Sequence, residues 1–397
     1  MPNKVLSVCL LCALISACAS TDKAATEVEP FCRVGNLTFH TDFEAAALHG
    51  CAPDTLGPVL TIAPEYAPIN PSPWYAWRVT AGPNSFGNSG ERSITQRYLH
   101  GWHRYPPWTS PDGEHWERLP DSRVSVAGDG SVTLQLDIPP DGLYVAAQPP
   151  LTSTAMERWV SDLAAANGLQ SSQAAQSVGG RPVTAYESDV SGRRGSLVLV
   201  SRQHPPEVTG GLAYQDFVER LFVDDDLGMR FRGRFVIGLV PEINPDGVNR
   251  GHWRTNRRGV DLNRDWGPFT QPETRGVAEW INRLNERVPI QLFMDFHSTS
   301  YDVFYMPHAS DDPAPPGFAG AWLANLNARL GDDMPAWSGQ HNPGLPTAKS
   351  WARKQFGVVG MTYEVGDTTP RERIRRVAQA AAEEMMKLML QIEDKPR

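Results

Sequence analysis

The chain is short of positive charge. Lysine and arginine number 37 against 45 aspartates and glutamates, a formal net charge of −8 over 397 residues. Without a basic field to draw in phosphate backbones, a nucleic-acid partner would lack its usual electrostatic driving force, and that class is set aside. Long apolar runs are also missing: the one candidate, residues 5–15, is too short to span a bilayer as a permanent helix. Cysteine is scarce, with five in all, and no internal repeat is visible. What is present is 41% hydrophobic residues, enough to fill the cores of a full α/β domain and a smaller companion.

Lys4 and the apolar run after it read as an export signal. Leu14-Ile15-Ser16-Ala17-Cys18 resembles a bacterial lipobox, which implies loss of residues 1–17 and lipidation of Cys18; ordinary cleavage near Ala17 would export the chain as well. Ala19, where an aspartate would favour the inner membrane, leans the expectation toward the outer membrane of a Gram-negative bacterium, with the protein in the periplasm and touching the membrane only through its lipid. Residues 18–30 are small, polar and aperiodic, as befits a tether. Cys9 and Cys12 leave with the signal, so Cys32 and Cys51 remain. In an exported chain they read as a disulfide contributing about 3 kcal/mol, two free thiols being the alternative.

Residues 31–149 carry short strand-like runs, such as WYAWRVT from Trp74 and SVTLQLDI from Ser131. Turns such as Gly128-Asp129-Gly130 and Pro140-Asp141-Gly142 separate them, a pattern that predicts a small antiparallel β-sandwich. Its aromatics Trp102, Tyr105, Trp108 and Trp116 fit a carbohydrate or peptide platform or plain packing, and packing is the reading adopted. Over residues 150–397 helices (154–165, 214–222, 275–285) alternate with apolar strands (196–200, 235–240, 290–296), predicting an α/β domain with a mixed sheet flanked by helices. Thr369 is the expected N-cap and Pro370 the first residue of a closing helix whose stripe is Ile374, Val377, Ala381, Met385, Leu388 and Met389.

Ligands of open α/β sheets bind outside the carboxyl ends of strands, where His204-Pro-Pro-Glu207 lies. Imidazole and carboxylate suit zinc, whose catalytic sites use three protein ligands, and the prolines stiffen the turn that bears two of them. His297 follows another apolar strand and offers a third. Between them, residues 241–266 are dense in Asn, Asp, Arg and Gly, a composition suited to a polar site.

In order and approximate spacing, His204-Pro-Pro-Glu207, Asn244-Pro-Asp-Gly247, Trp253-Arg254, Gly259-Val-Asp-Leu-Asn-Arg264, His297-Ser298 and Tyr363-Glu364 resemble the zinc carboxypeptidases of the carboxypeptidase A type. The NPDG and DLNRxW forms look most like the cytosolic-carboxypeptidase, or deglutamylase, branch, which also carries a β-sandwich before its catalytic domain. The resemblance implies a zinc carboxypeptidase fold with one Zn2+ held by His204, Glu207 and His297. It also implies Asp261 as the carboxylate orienting a ligand histidine, Glu364 as general base, Arg254 on the oxyanion, and Asn263 and Arg264 on the substrate's terminal carboxylate. The activity implied is hydrolysis of a C-terminal peptide bond, the substrate being a peptide or a cell-wall peptide. Oligomeric state is left open.

The chain departs from the family at two places. The mobile tyrosine of the pancreatic enzymes falls near Asn342, with Tyr301 as a weak substitute. The pocket-base position falls at Lys349, where a cation would select acidic C-terminal residues, the alternative being a solvated lysine on a helix over 347–355. Two other functions stay in view: a deacylase of the succinylglutamate desuccinylase or aspartoacylase type, and a non-catalytic surface lipoprotein that retains the fold as a binding module.

Overall fold

The computed structural model describes residues 31–393 apart from 56, 83–90, 308–310, 312, 340 and 343. The export signal, the tether and Cys18 lie outside the described residues.

The N-terminal part forms two facing sheets. One runs in the order Phe31–Val34, Leu37–His40, Ala76–Ala81, Leu143–Ala146, Trp108–Ser110 and Glu117–Arg118; the other, Gly50–Asp54, Gly57–Ile62, Glu91–Tyr98, Val132–Asp137 and Val124–Val126. All pairings are antiparallel except Gly57–Ile62 with Glu91–Tyr98, which run parallel, a departure from the purely antiparallel expectation. Alternating inward residues such as Phe39, Leu60, Trp77, Ile94, Leu134 and Val145 are fully buried between the sheets. Cys32 and Cys51 are bonded, tying one sheet to the other. The aromatic group divides: Tyr105 is buried and Trp116 rests on the core, whereas Trp102 is 55% exposed.

The C-terminal part is built on an eight-stranded mixed sheet. Its order is Gln170–Gln176, Pro182–Glu187, Phe235–Val240, Gly195–Ser201, Ile290–Thr299, Val359–Gly366, Val303–Tyr305 and Ala336–Ser338, and the four strands from Phe235–Val240 to Val359–Gly366 run parallel. These strands read as continuous apolar runs because helices cover both faces. Leu197 and Leu199 join the core beneath helices Val208–Leu221, Phe318–Leu330 and Arg371–Glu393, while Val198 and Val200 join the one beneath Pro272–Arg287 and Ala348–Phe356. Among the described residues no helix is long and apolar enough to cross a membrane.

Two element boundaries differ from expectation. Helix Val208–Leu221 begins six residues before the predicted 214 and takes in Gly210 and Gly211. Gly210 is there for proximity: a Cβ on it would lie 2.3 Å from the His297 carbonyl oxygen. That contact sets Glu207, at the helix N-cap, beside His297. At the closing helix, Thr369 is not the cap; its hydroxyl donates to Asp302, and the Pro370 carbonyl accepts the first helical bonds from Arg373 and Ile374.

The sandwich core runs on into the second part, taking in Val208 and Trp253. Trp253 Nε1 donates to the Trp74 carbonyl at 3.0 Å, and Arg104 forms a two-pronged ion pair with Asp367, at 2.8 and 3.2 Å.

Candidate metal centre

Three of the parallel strands deliver the site at their carboxyl ends. Chain leaving Gly195–Ser201 turns through Arg202, at φ 56°, into His204 and then into the helix that Glu207 opens. His297 and Glu364 are direct register partners on neighbouring strands, so they rise side by side. Asn244 secures the arrangement: its amide donates to the carbonyls of Gln203 and Thr255 while its Oδ1 accepts from Gly247.

His204, Glu207 and His297 are buried and offer ligand atoms within 4.8 Å of one another. Both Nδ1 atoms face the Glu207 carboxylate, His204 at 2.8 Å and His297 at 2.6 Å. Both Nε2 atoms face other carboxylates: Asp261 at 2.9 Å from His204, and Asp295 at 2.7 Å from His297. Carboxylates only accept, so each Nε2 keeps its proton toward Asp261 or Asp295, and each Nδ1, facing the shared Glu207, is the nitrogen that would give up a proton to a metal. Burial opposes an imidazolium at His297, yet Asp295 and Glu207 hold its pKa well above the ordinary value. Glu207 is itself held below the usual carboxylate range by the two histidines despite its burial. Such a centre favours a cation, and its donor set of two imidazoles and one carboxylate fits catalytic zinc.

A cavity of about 180 Å³ opens above the three residues. Glu364, Arg254, Asn263, Arg264 and Lys349 all line it together with His204 and Glu207, while His297 and Asp261 lie behind its wall. Burial raises the Glu364 carboxyl to about 7, with His297 opposing and Glu207 reinforcing the shift. Arg254 spends its Nε on Asp261 Oδ2 at 2.7 Å. Asn263 is more committed than expected: its Oδ1 accepts from Ala348 N and its Nδ2 lies 3.1 Å from His297 Nε2.

Lys349 is not a solvated lysine. It is 3% exposed, its Nζ sits 4.9 Å over the Tyr305 ring and 3.5 Å from His341, and burial lowers its pKa to about 8. Tyr301, the suggested substitute phenol, is 54% exposed and does not line the cavity; Tyr305 does, stacked on His341 at 3.6 Å between ring centroids. Two further residues went unnoticed in the sequence. Asp295 had a legible signal, as the one charge inside the apolar strand Ile290–Thr299. Arg104, on the cavity wall with Asn70 and Ser72, comes from the sandwich and had none.

Comparison with known proteins agrees with this geometry. A metallo-carboxypeptidase from Burkholderia cenocepacia superposes with a TM-score of 0.72 over 90% of this chain and 100% of its own, at 20% identity, which speaks to the fold. A metallo-carboxypeptidase from Pseudomonas aeruginosa, solved in complex with (2-guanidinoethylmercapto)succinic acid, gives 0.68 over 89% and 99% at 21% identity. Among curated sequences, an uncharacterized protein of Zymomonas mobilis is 28% identical over 230 residues, 56% of this chain and 58% of that one. Cytosolic carboxypeptidase 2 of Danio rerio is 29% identical over 212 residues, 47% of this chain. The aligned part is 29% of that protein's length, so neither curated relative is matched over two thirds of its length. The family model described as zinc carboxypeptidase matches residues 156–384, which hold all three ligand candidates and Glu364. With more than half of the chain inside that match, this protein belongs to the zinc carboxypeptidase family.

Proposed function

We propose that this protein is a zinc carboxypeptidase that removes C-terminal residues from peptides and prefers acidic ones. The observation that carries the preference is the buried Lys349 in the same cavity as Glu364, His204 and Glu207. When bound, zinc supplies Lewis acidity, polarising the scissile carbonyl and making water more acidic. The chain's own groups do the rest. Glu364 takes a proton from the attacking water and delivers it to the leaving amine nitrogen. The Nη groups of Arg254 face the oxygen on which negative charge develops. Arg264 and the Asn263 amide hold the terminal carboxylate, which restricts cleavage to the chain end. Lys349 pairs with a Glu or Asp side chain.

The test is mass spectrometry of a C-terminally randomised peptide pool, with crosslinked cell-wall peptides in a parallel arm. Single-residue trimming led by Glu and Asp is expected; a preference for Phe or Lys would refute the pocket assignment. Lys349→Ala should cut kcat/KM for Glu-ended peptides about 10- to 100-fold, the worth of a charge-assisted contact at about 1.5–3 kcal/mol, and leave Leu-ended peptides nearly unchanged. Because Lys349 is cationic only below its pKa of about 8, the Glu-to-Leu ratio of kcat/KM should be constant at neutral pH and fall as pH rises through about 8. A ratio flat to pH 10 would remove Lys349 from the pocket.

We also propose export with a lipid on Cys18. Cells fed labelled palmitate should label the wild-type chain and not Cys18→Ala, and equal labelling would refute the anchor.

A further inference from the structure

The segment that bears Arg254 is gripped by the sandwich as well as by the domain to which it belongs. Glu65 follows the sandwich strand Gly57–Ile62, and its side chain is only 5% exposed. Its Oε2 accepts from the Trp253 amide at 2.7 Å. Its Oε1 accepts from the amides of Arg254 at 3.1 Å and Thr255 at 2.7 Å, and from the Thr255 hydroxyl at 2.7 Å. Three successive amides and a hydroxyl thus converge on one carboxylate from the other domain. Charge-assisted bonds of this kind are about twice as strong as neutral ones, and four together hold the backbone closely. The Trp253 ring is buried in the sandwich core beside them. Gly251, at φ 60°, lies so close to Ala45 and Ala46 that a Cβ would meet their carbonyl oxygens at 2.7 and 2.8 Å.

From Arg254 the contacts continue inward, since its Nε bonds Asp261 Oδ2 and Asp261 Oδ1 holds His204 Nε2. We infer that Glu65 is a positioning residue for Arg254: by fixing three consecutive amides it sets the height of that guanidinium over the metal centre, so that the sandwich takes part in the chemical step. This rests on Arg254 acting at the oxyanion, as proposed above. Because a group misplaced by about 1 Å can cost on the order of 100-fold in rate, the loss should appear in kcat rather than in KM.

The experiment is a double-mutant cycle on the zinc-loaded, full-length protein. Glu65→Ala is expected to lower kcat about 30-fold with KM changed less than about threefold and zinc content unchanged. Glu65→Gln, which keeps one acceptor oxygen, should lose less, and Glu65→Asp should recover part of the rate. In an Arg254→Ala background, Glu65→Ala should have almost no further effect on kcat. If the two losses multiply instead, Glu65 acts only through stability and the inference falls. It falls equally if Arg254→Ala is slow while Glu65→Ala keeps the wild-type kcat. If Arg254→Ala itself keeps full kcat, the oxyanion assignment is what fails. Should Glu65→Ala not fold, the same cycle is read with Glu65→Gln.

Discussion

Glu364→Gln should lower kcat on the order of 10³- to 10⁴-fold while the protein still binds one zinc per chain. The amide matches the carboxylate in shape, so the strand Val359–Gly366 and its register with His297 need not change. What is lost is the capacity to hold a proton between attack and departure of the amine. That role also fits the group's acidity: burial raises Glu364 to about 7, near the value at which a base both ionises and accepts a proton usefully. Only the carboxylate form is competent, so kcat/KM should fall as pH drops below the Glu364 pKa. A cation at the centre favours the carboxylate, so this acid limb lies no higher than about pH 7. The limb should vanish along with the rate in Glu364→Gln. A glutamine variant that trims peptides at the wild-type rate would exclude Glu364 as the base, and one that loses its zinc would show that Glu364 belongs to the metal shell.

What could be read from the sequence followed the strength of the local signal. The runs around Leu197, Ile237 and Phe293 are buried on both faces, so uninterrupted apolar stretches marked the parallel strands. His204, Glu207, His297 and Glu364 stand where those stretches end, which made them visible as a set. Very short strands carry no such signal. Val303–Tyr305 and Ala336–Ser338 are three residues each, so nothing in the sequence set Tyr305 apart from other tyrosines, and Tyr301 stood only as a weak substitute. Thr369 and Pro370 satisfied a local capping pattern, but the tertiary contact with Asp302 claimed the hydroxyl. The early start of helix Val208–Leu221 was hidden for a similar reason: Gly210 is there to admit the His297 backbone, a neighbour 87 residues away in the chain. Contacts between the two parts were the least legible. Glu65 and Arg104 lie in loops of ordinary composition, and only the packing of the sandwich on the second domain gives them meaning.

Removing His297 should do more damage than removing zinc, and the difference tests how the centre is held. In the metal-free protein His297 lies between two carboxylates, Asp295 at 2.7 Å and Glu207 at 2.6 Å, and its raised pKa keeps it cationic at neutral pH. Chelation should therefore abolish hydrolysis yet leave a folded protein that regains full activity when zinc returns. The fall in melting temperature on chelation should depend on the free zinc concentration, as linkage requires. His297→Ala takes away both the ligand and the counter-charge. Asp295 is 0% exposed, and without the imidazole its remaining partner is the Gln203 amide at 2.7 Å. Breaking a buried pair in this way costs about 3–5 kcal/mol, which for a domain of this size lowers the melting temperature on the order of 10 °C. The variant should thus bind no zinc at micromolar metal, show no hydrolysis, and melt well below chelated wild type. Asp295→Asn together with His297→Ala should restore much of the lost stability without restoring activity, because it removes the stranded charge but supplies no ligand. A His297→Ala protein that melts with chelated wild type would mean that Asp295 finds its compensation elsewhere.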